Sequence, residues 1–171
     1  MNHMQELQRI PYQVNKKAVI QKIIISLQSE LETYTRAAKA SHAEATAEEN
    51  RAENKYDTRG LEASYLATGQ ANKVAELEEA IEAFSDLKSK SYDDSPIDVG
   101  ALVELDQDGE NAFYFIGPSA GGTEVVEDDT EVLVITTQSP LGSQLLGKRQ
   151  GEKLQLTMAV TKQDALVISI C

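Results

Sequence analysis

Ile20-Gln-Lys-Ile-Ile-Ile-Ser-Leu-Gln-Ser-Glu-Leu31 opens a stretch, running to Leu87, whose rhythm decides the fold. Apolar or small residues recur at alternating steps of four and three: Ile20, Ile24, Leu27, Leu31, Tyr34, Ala38, Ser41, Ala45. That spacing keeps one stripe turned toward a partner helix, as in a coiled coil. Tyr56, Gly60, Ala63, Ala67, Gln70, Val74, Leu77, Ile81 and Phe84 repeat the rhythm. Pairing the bulky ends, Ile20–Leu31 against Val74–Phe84, predicts two antiparallel helices over about 16–48 and 56–90. The reversal then falls near 49–57. The seam is wide at the base and small at the tip, so the arm should taper. A helix of about thirty residues rises about 45 Å. No Pro or Gly forces the break, so one uninterrupted helix over 16–90, a dimerisation rod, is the rival reading.

The 171 residues suffice for one ordinary domain or two small ones. The formal net charge of −12 argues against free DNA binding and against an anionic membrane surface. The charge is uneven. Residues 1–95 hold 16 acids and 12 bases, and 96–171 hold 12 acids and 4 bases. Phosphate-facing contacts are therefore expected on the arm. Cys171 is the single cysteine, which rules out an intrachain disulfide and fits a reducing, cytoplasmic setting. Met1–Gln13 lacks the apolar core of a signal peptide.

Asn15 is suited to cap the first helix. Ser91–Pro96 is polar, acidic and closed by a proline, as a linker would be. This divides the chain into an arm (1–92), a linker (93–97) and a C-terminal domain (98–171). In the last part the apolar period becomes two. Strands are expected at Val99–Leu105, Ala112–Ile116, Glu131–Thr136, Lys153–Val160 and Ala165–Ile170. Asp108-Gly109 forms a hairpin turn, Ser119–Thr130 a loop, and Lys162–Asp164 a turn. Ser139-Pro140 with Gly147 marks a short helix: a Ser cap, Pro in the first turn, Gly beyond the end. The expected class is α+β, a helical hairpin followed by a small antiparallel β domain with one short helix.

Asp98-Val-Gly100, Tyr114-Phe-Ile-Gly-Pro118 and Ser139-Pro-Leu-Gly-Ser-Gln-Leu-Leu-Gly-Lys148 with Gly151-Glu152 resemble the C-terminal domain of the bacterial GreA/GreB-like transcript-cleavage factors. The resemblance implies an FKBP-like fold for residues 98–171 and RNA polymerase as the partner. It implies that the sheet domain docks at the rim of the polymerase secondary channel while the arm reaches the active site. Ser139, Pro140, Leu141, Gly142 and Lys148 would then face polymerase. Tip acids would hold a Mg²⁺ ion shared with polymerase, which hydrolyses backtracked nascent RNA. The protein itself would be an accessory factor, not an enzyme, with no tightly bound cofactor. Mg²⁺ suits that role because it keeps several waters and needs few carboxylates.

The family's tip motif is an Asp, two residues, then Glu-Asn. Glu53-Asn54 matches the Glu-Asn pair, and the position three before Glu53 is Asn50. An amide supplies no second negative charge; Glu49 is one residue away and is the alternative donor. Two readings follow, one that stimulates cleavage through Glu53 and Glu49, and one that occupies the channel without cleaving. Glu49, Glu53 and Asp57 share one helical stripe, while Arg51, Lys55 and Arg59 share another. Asn50, Arg51, Asn54, Lys55, Tyr56 and Asp57 complete the expected contact set. A plain solvated face is the competing explanation. His3 and His42 have no ligand-spaced partner, which excludes a zinc site. An FKBP-like prolyl isomerase would need an aromatic-lined pocket. Phe113, Tyr114 and Phe115, adjacent on one strand, cannot provide it. A folded-back hairpin predicts a monomer.

Overall fold

A computed structural model describes residues 14–47, 56, 58–87, 91–92 and 94–171, apart from the side chain of Met158. Helix α1 spans Lys16–Thr46 and α2 spans Arg59–Ser85. Asn15 caps α1 as expected, its side chain accepting from the amides of Lys17 (3.1 Å) and Ala18 (3.3 Å). Val14 and Val19, flanking that cap, are both buried in the same cluster. They hold the entering chain against the first turn as a hydrophobic staple. Ala47 is extended (φ −65°, ψ 136°) and ends α1, so the helix stops short of 48. α2 begins at Arg59 rather than 56 and closes at Ser85 rather than 90, with Asp86 as its last cap.

The two helices pack antiparallel. Lys73 of α2 lies 6.0 Å from the ring of Tyr34 on α1. Nearer the tip, Ala38, His42 and Ala45 face Gly60, Ser64 and Ala67 across one groove. A continuous rod over 16–90 is therefore not formed. Ser41 and Ala63 are buried near the tip, and Leu27, Leu77 and Phe84 near the base, as the tapering seam predicts. Val19, Ile23 and Ala80 are also buried, although the seam pattern omits them. They face the sheet, because the hairpin base is covered on two sides.

The sheet has six strands: β1 Leu102–Gln107, β2 Glu110–Gly117, β3 Glu124–Glu127, β4 Thr130–Thr136, β5 Lys153–Met158 and β6 Thr161–Ile170. Their order is β3-β4-β2-β1-β6-β5. Four differences from the sequence expectation have physical reasons. The sheet is mixed, because β2 and β4 pair in parallel, Phe113 against Val132 through Gly117 against Thr136. The expected loop over 119–130 contains β3, which lies outside β4 at the sheet edge and turns the chain so that β4 runs with β2. β1 starts at Leu102, not Val99, since Gly100 is in the left-handed region (φ +92°). The β5–β6 turn is at Ala159-Val160, because Thr161, Lys162 and Gln163 pair with β5 instead of turning.

The Asp108-Gly109 turn forms as read, with both residues at positive φ (55° and 91°). That is the geometry that matches strand twist in a two-residue hairpin. Asp128 and Asp129 repeat it (45° and 62°).

Two clusters of buried residues sandwich the sheet. Val103, Leu105, Ile116, Ile135, Leu156 and Val167 point to one face, where α3 (Pro140–Leu145) adds Leu141 and Leu145. Leu102, Phe115, Val125, Val132 and Val134 point to the other, where the hairpin base adds Val19, Ile23, Leu27, Leu77 and Phe84. The rings of Phe84 and Phe115 meet at a centroid distance of 5.9 Å. The stretch read as a linker is held at both ends. Tyr92 and Ile97 are buried, Ile97 N–H donates to Lys148 O (2.7 Å), and Gly147 N–H donates to Ile97 O (2.9 Å).

Candidate functional site: the arm tip and the α3 surface

The acids and bases expected to act at the tip fall, in the sequence, between the end of α1 and the start of α2. Glu49, Asn50, Arg51, Glu53, Asn54, Lys55 and Asp57 are outside the described residues. Tyr56 is described and is 79% exposed. Thr58 precedes α2, its hydroxyl donating to Glu62 (2.9 Å), and Leu61 and Tyr65, one turn apart, are both exposed. α1 alone, at 31 residues, extends about 46 Å. The stem therefore carries its tip far from the sheet. Among the described residues no group of three or more His, Cys, Asp or Glu is arranged to hold a metal ion.

The Ser-Pro-Leu-Gly segment forms α3 for reasons internal to the fold. Ser139 Oγ accepts from Gly142 N–H (3.0 Å) and donates to Thr136 O (2.8 Å). Pro140 occupies the first turn, where its missing N–H costs nothing. Leu141 is buried, and Gly142 abuts the carbonyl of Thr136. Leu141 and Gly142 are thus explained by packing. Pro140 is exposed, Ser139 and Lys148 are half-buried, and Leu146 is 45% exposed. Lys148 Nζ lies 3.9 Å from Glu152, and the Arg149 guanidinium donates to Asp94 O. Gln144, which the sequence reading passed over, ties α3 to the edge strand. Its amide nitrogen donates to Thr157 O (3.1 Å) and its oxygen accepts from Thr157 N–H (2.7 Å). A Gln one turn into a short helix before an edge strand was the available signal.

The arm and the sheet are joined by more than apolar contact. Lys22 Nζ lies 2.6 Å from Glu127 and 2.6 Å from Val126 O. Glu127 is only 8% exposed, so this lysine answers a nearly buried carboxylate. At the start of α1, Lys16 Nζ sits 4.8 Å above the Tyr92 ring. Burial holds the Lys16 ammonium below its usual pKa, partly offset by Cys171. Burial also holds the Cys171 thiol above its usual range.

The fold and site define a class: a long antiparallel helical hairpin set on a six-stranded mixed sheet with one short helix. No family model matches the chain, and no curated protein matches it. The chain is similar to solved structures, among them these three. The GreA factor homolog 1 (Gfh1) protein of Thermus thermophilus shares 24% identity, covering 86% of this chain and 94% of that one, at a TM-score of 0.37. Thermus aquaticus Gfh1 shares 25% identity over 90% and 94%, again at 0.37. A further structure of the transcription factor Gfh1 shares 24% over 87% and 93%, at 0.37.

Proposed function

We propose that this chain is an RNA polymerase accessory factor of the Gre type. Its sheet domain grips the rim of the secondary channel and its arm enters that channel. The observation that carries the reading is the pairing of a Ser-Pro-Leu-Gly helix, packed on a mixed sheet, with an antiparallel arm whose two helices are joined by a segment containing Glu53-Asn54 in the sequence. A stem of that length supports a role at a distance, since a globule at the channel mouth could not itself reach a buried centre. Glu53, with Glu49 in place of the acid that Asn50 lacks, would hold a Mg²⁺ ion shared with polymerase. When bound, such an ion would supply an activated water for RNA hydrolysis. This chain's own part is to deliver the carboxylates and exclude bulk solvent; the bond is cut by polymerase. A factor that occupies the channel without promoting cleavage is the second reading, favoured by the neutral Asn50.

The test uses a backtracked polymerase complex with labelled RNA and Mg²⁺, comparing the native chain with Glu53→Ala and Glu49→Ala. Cleavage that is lost in Glu53→Ala supports the metal role. Binding without cleavage supports the occupying factor. Absence of both would overturn the assignment.

A further inference from the structure

The sheet face that carries α3 is not covered along its whole width. Residues Glu124, Leu133, Tyr114 and Val103 lie in one row across β3, β4, β2 and β1. Val126 and Glu131 pair in the next row. α3 packs over the part of this face bearing Ile116, Ile135 and Leu156. Toward the β3 edge, Tyr114 and Leu133 remain half-buried and Val126 is 52% exposed. A hollow of about 610 Å³ lies there, lined by Ala112, Tyr114, Leu133, Glu124, Asp129 and Glu131 among others. An apolar strip thus runs to an open edge between three carboxylates.

The charge around it is one-sided. The bases of residues 96–171 are Lys148, Arg149, Lys153 and Lys162; two of them sit on β5 and β6, at the opposite edge of the sheet. Lys22, the cation nearest β3, is committed to Glu127 and Val126 O. Among the described residues, no ion pair engages Glu124, Asp129 or Glu131. Carboxylates flanking an apolar strip favour a partner with the reverse pattern, by steering and by suppressing acidic competitors.

We infer that this strip is a docking face for a basic amphipathic segment of a partner protein, its apolar side chains on Tyr114, Leu133 and Val126 and its Lys or Arg side chains on Glu124 and Glu131. Under the reading above, on which this inference rests, that segment belongs to RNA polymerase and gives the sheet domain a grip apart from α3. A second copy of this chain is a poorer occupant. Within its sheet domain, Lys153 and Lys162 lie at the opposite edge, so a contact through them would be head-to-tail rather than two-fold.

The experiment measures binding of the full chain to core RNA polymerase over a salt series. It compares the native protein with Glu124→Lys/Glu131→Lys, Val126→Asn and, as a control at the far edge, Asp164→Lys. Thermal unfolding of each variant checks that it folds. The expected result is binding weakened at least tenfold in the double variant and several-fold in Val126→Asn, with the salt dependence flattened in the double variant and Asp164→Lys near native. Native binding by the folded double variant would overturn this inference while leaving the polymerase reading intact. No binding by the native chain would overturn both. Self-association of the native chain that the double variant abolishes, seen by sedimentation, would assign the face to a second copy and overturn the inference.

Discussion

Gly142 packs so closely on Thr136 that a Cβ on the glycine would lie 1.9 Å from the Thr136 carbonyl oxygen. That oxygen also accepts from the Ser139 hydroxyl and cannot move without breaking the cap of α3. Two effects oppose each other in Gly142→Ala. Helix propensity favours alanine by about 1 kcal/mol, whereas overpacking against backbone costs about 3 kcal/mol. The substitution is expected to destabilise, and urea unfolding gives the sign. A more stable variant would show that α3 shifts freely.

Phe84 is 1% exposed and Phe115 fully buried, and their contact joins the arm to the sheet. Phe84→Ala should cost about 3–5 kcal/mol. Because the contact is shared by both parts, hydrogen exchange should rise in the base of α1 and α2 and also in β2 and β4. Protection lost in the helices alone would mean that the sheet does not depend on the arm.

Removing Lys22 leaves Glu127 nearly buried without its cation. Lys22→Ala should therefore destabilise by about 1–3 kcal/mol, discounted because the lysine side chain is 45% exposed. Removing both charges in Lys22→Met/Glu127→Gln should recover much of that loss. Chemical unfolding of the single and double variants checks this. A double variant less stable than the single one would contradict it.

Tyr92 donates to Val99 O at 2.7 Å. Burial, followed by the nearby Asp98 charge, holds its phenol above the usual pKa of 10.0. The folded state therefore keeps a proton that the unfolded chain has lost. That contribution is complete below pH 10 and declines as pH rises through the folded pKa. Tyr92→Phe should lose about 1 kcal/mol near neutral pH and show a shallower alkaline decline. Lys16, whose lowered pKa acts in the opposite direction, is present in both proteins, so the difference between their slopes reports Tyr92. Parallel alkaline slopes would refute this.

The period of the seam made the arm legible, down to its taper. Asn15, Asp108-Gly109 and Ser139-Pro140 marked their cap and turns because each satisfies a local backbone need. What escaped was set at long range. β3 is four residues long inside an acidic stretch, and its edge is stabilised by Lys22 from another part of the chain. Parallel pairing of β2 with β4 follows from where β3 goes, which no local pattern encodes. Val19 and Ile23 were hidden because a helix buried on two sides blurs its single stripe. At the α3 surface the motif residues were legible, but Leu141 and Gly142 turn inward. The tip acids, by contrast, rest on sequence resemblance alone.

Lys22 and Val126, joined by a hydrogen bond, are 104 residues apart in the chain. On a ribosome the arm can close as soon as α2 emerges, since hairpin contacts are local. Its base cannot. Val19, Ile23 and Phe84 meet Val125, Val132 and Val134 only after most of the sheet has been made. Until then the nascent protein exposes an apolar root. Synthesis rate and chaperone supply should therefore govern its yield more than the intrinsic strength of the finished fold.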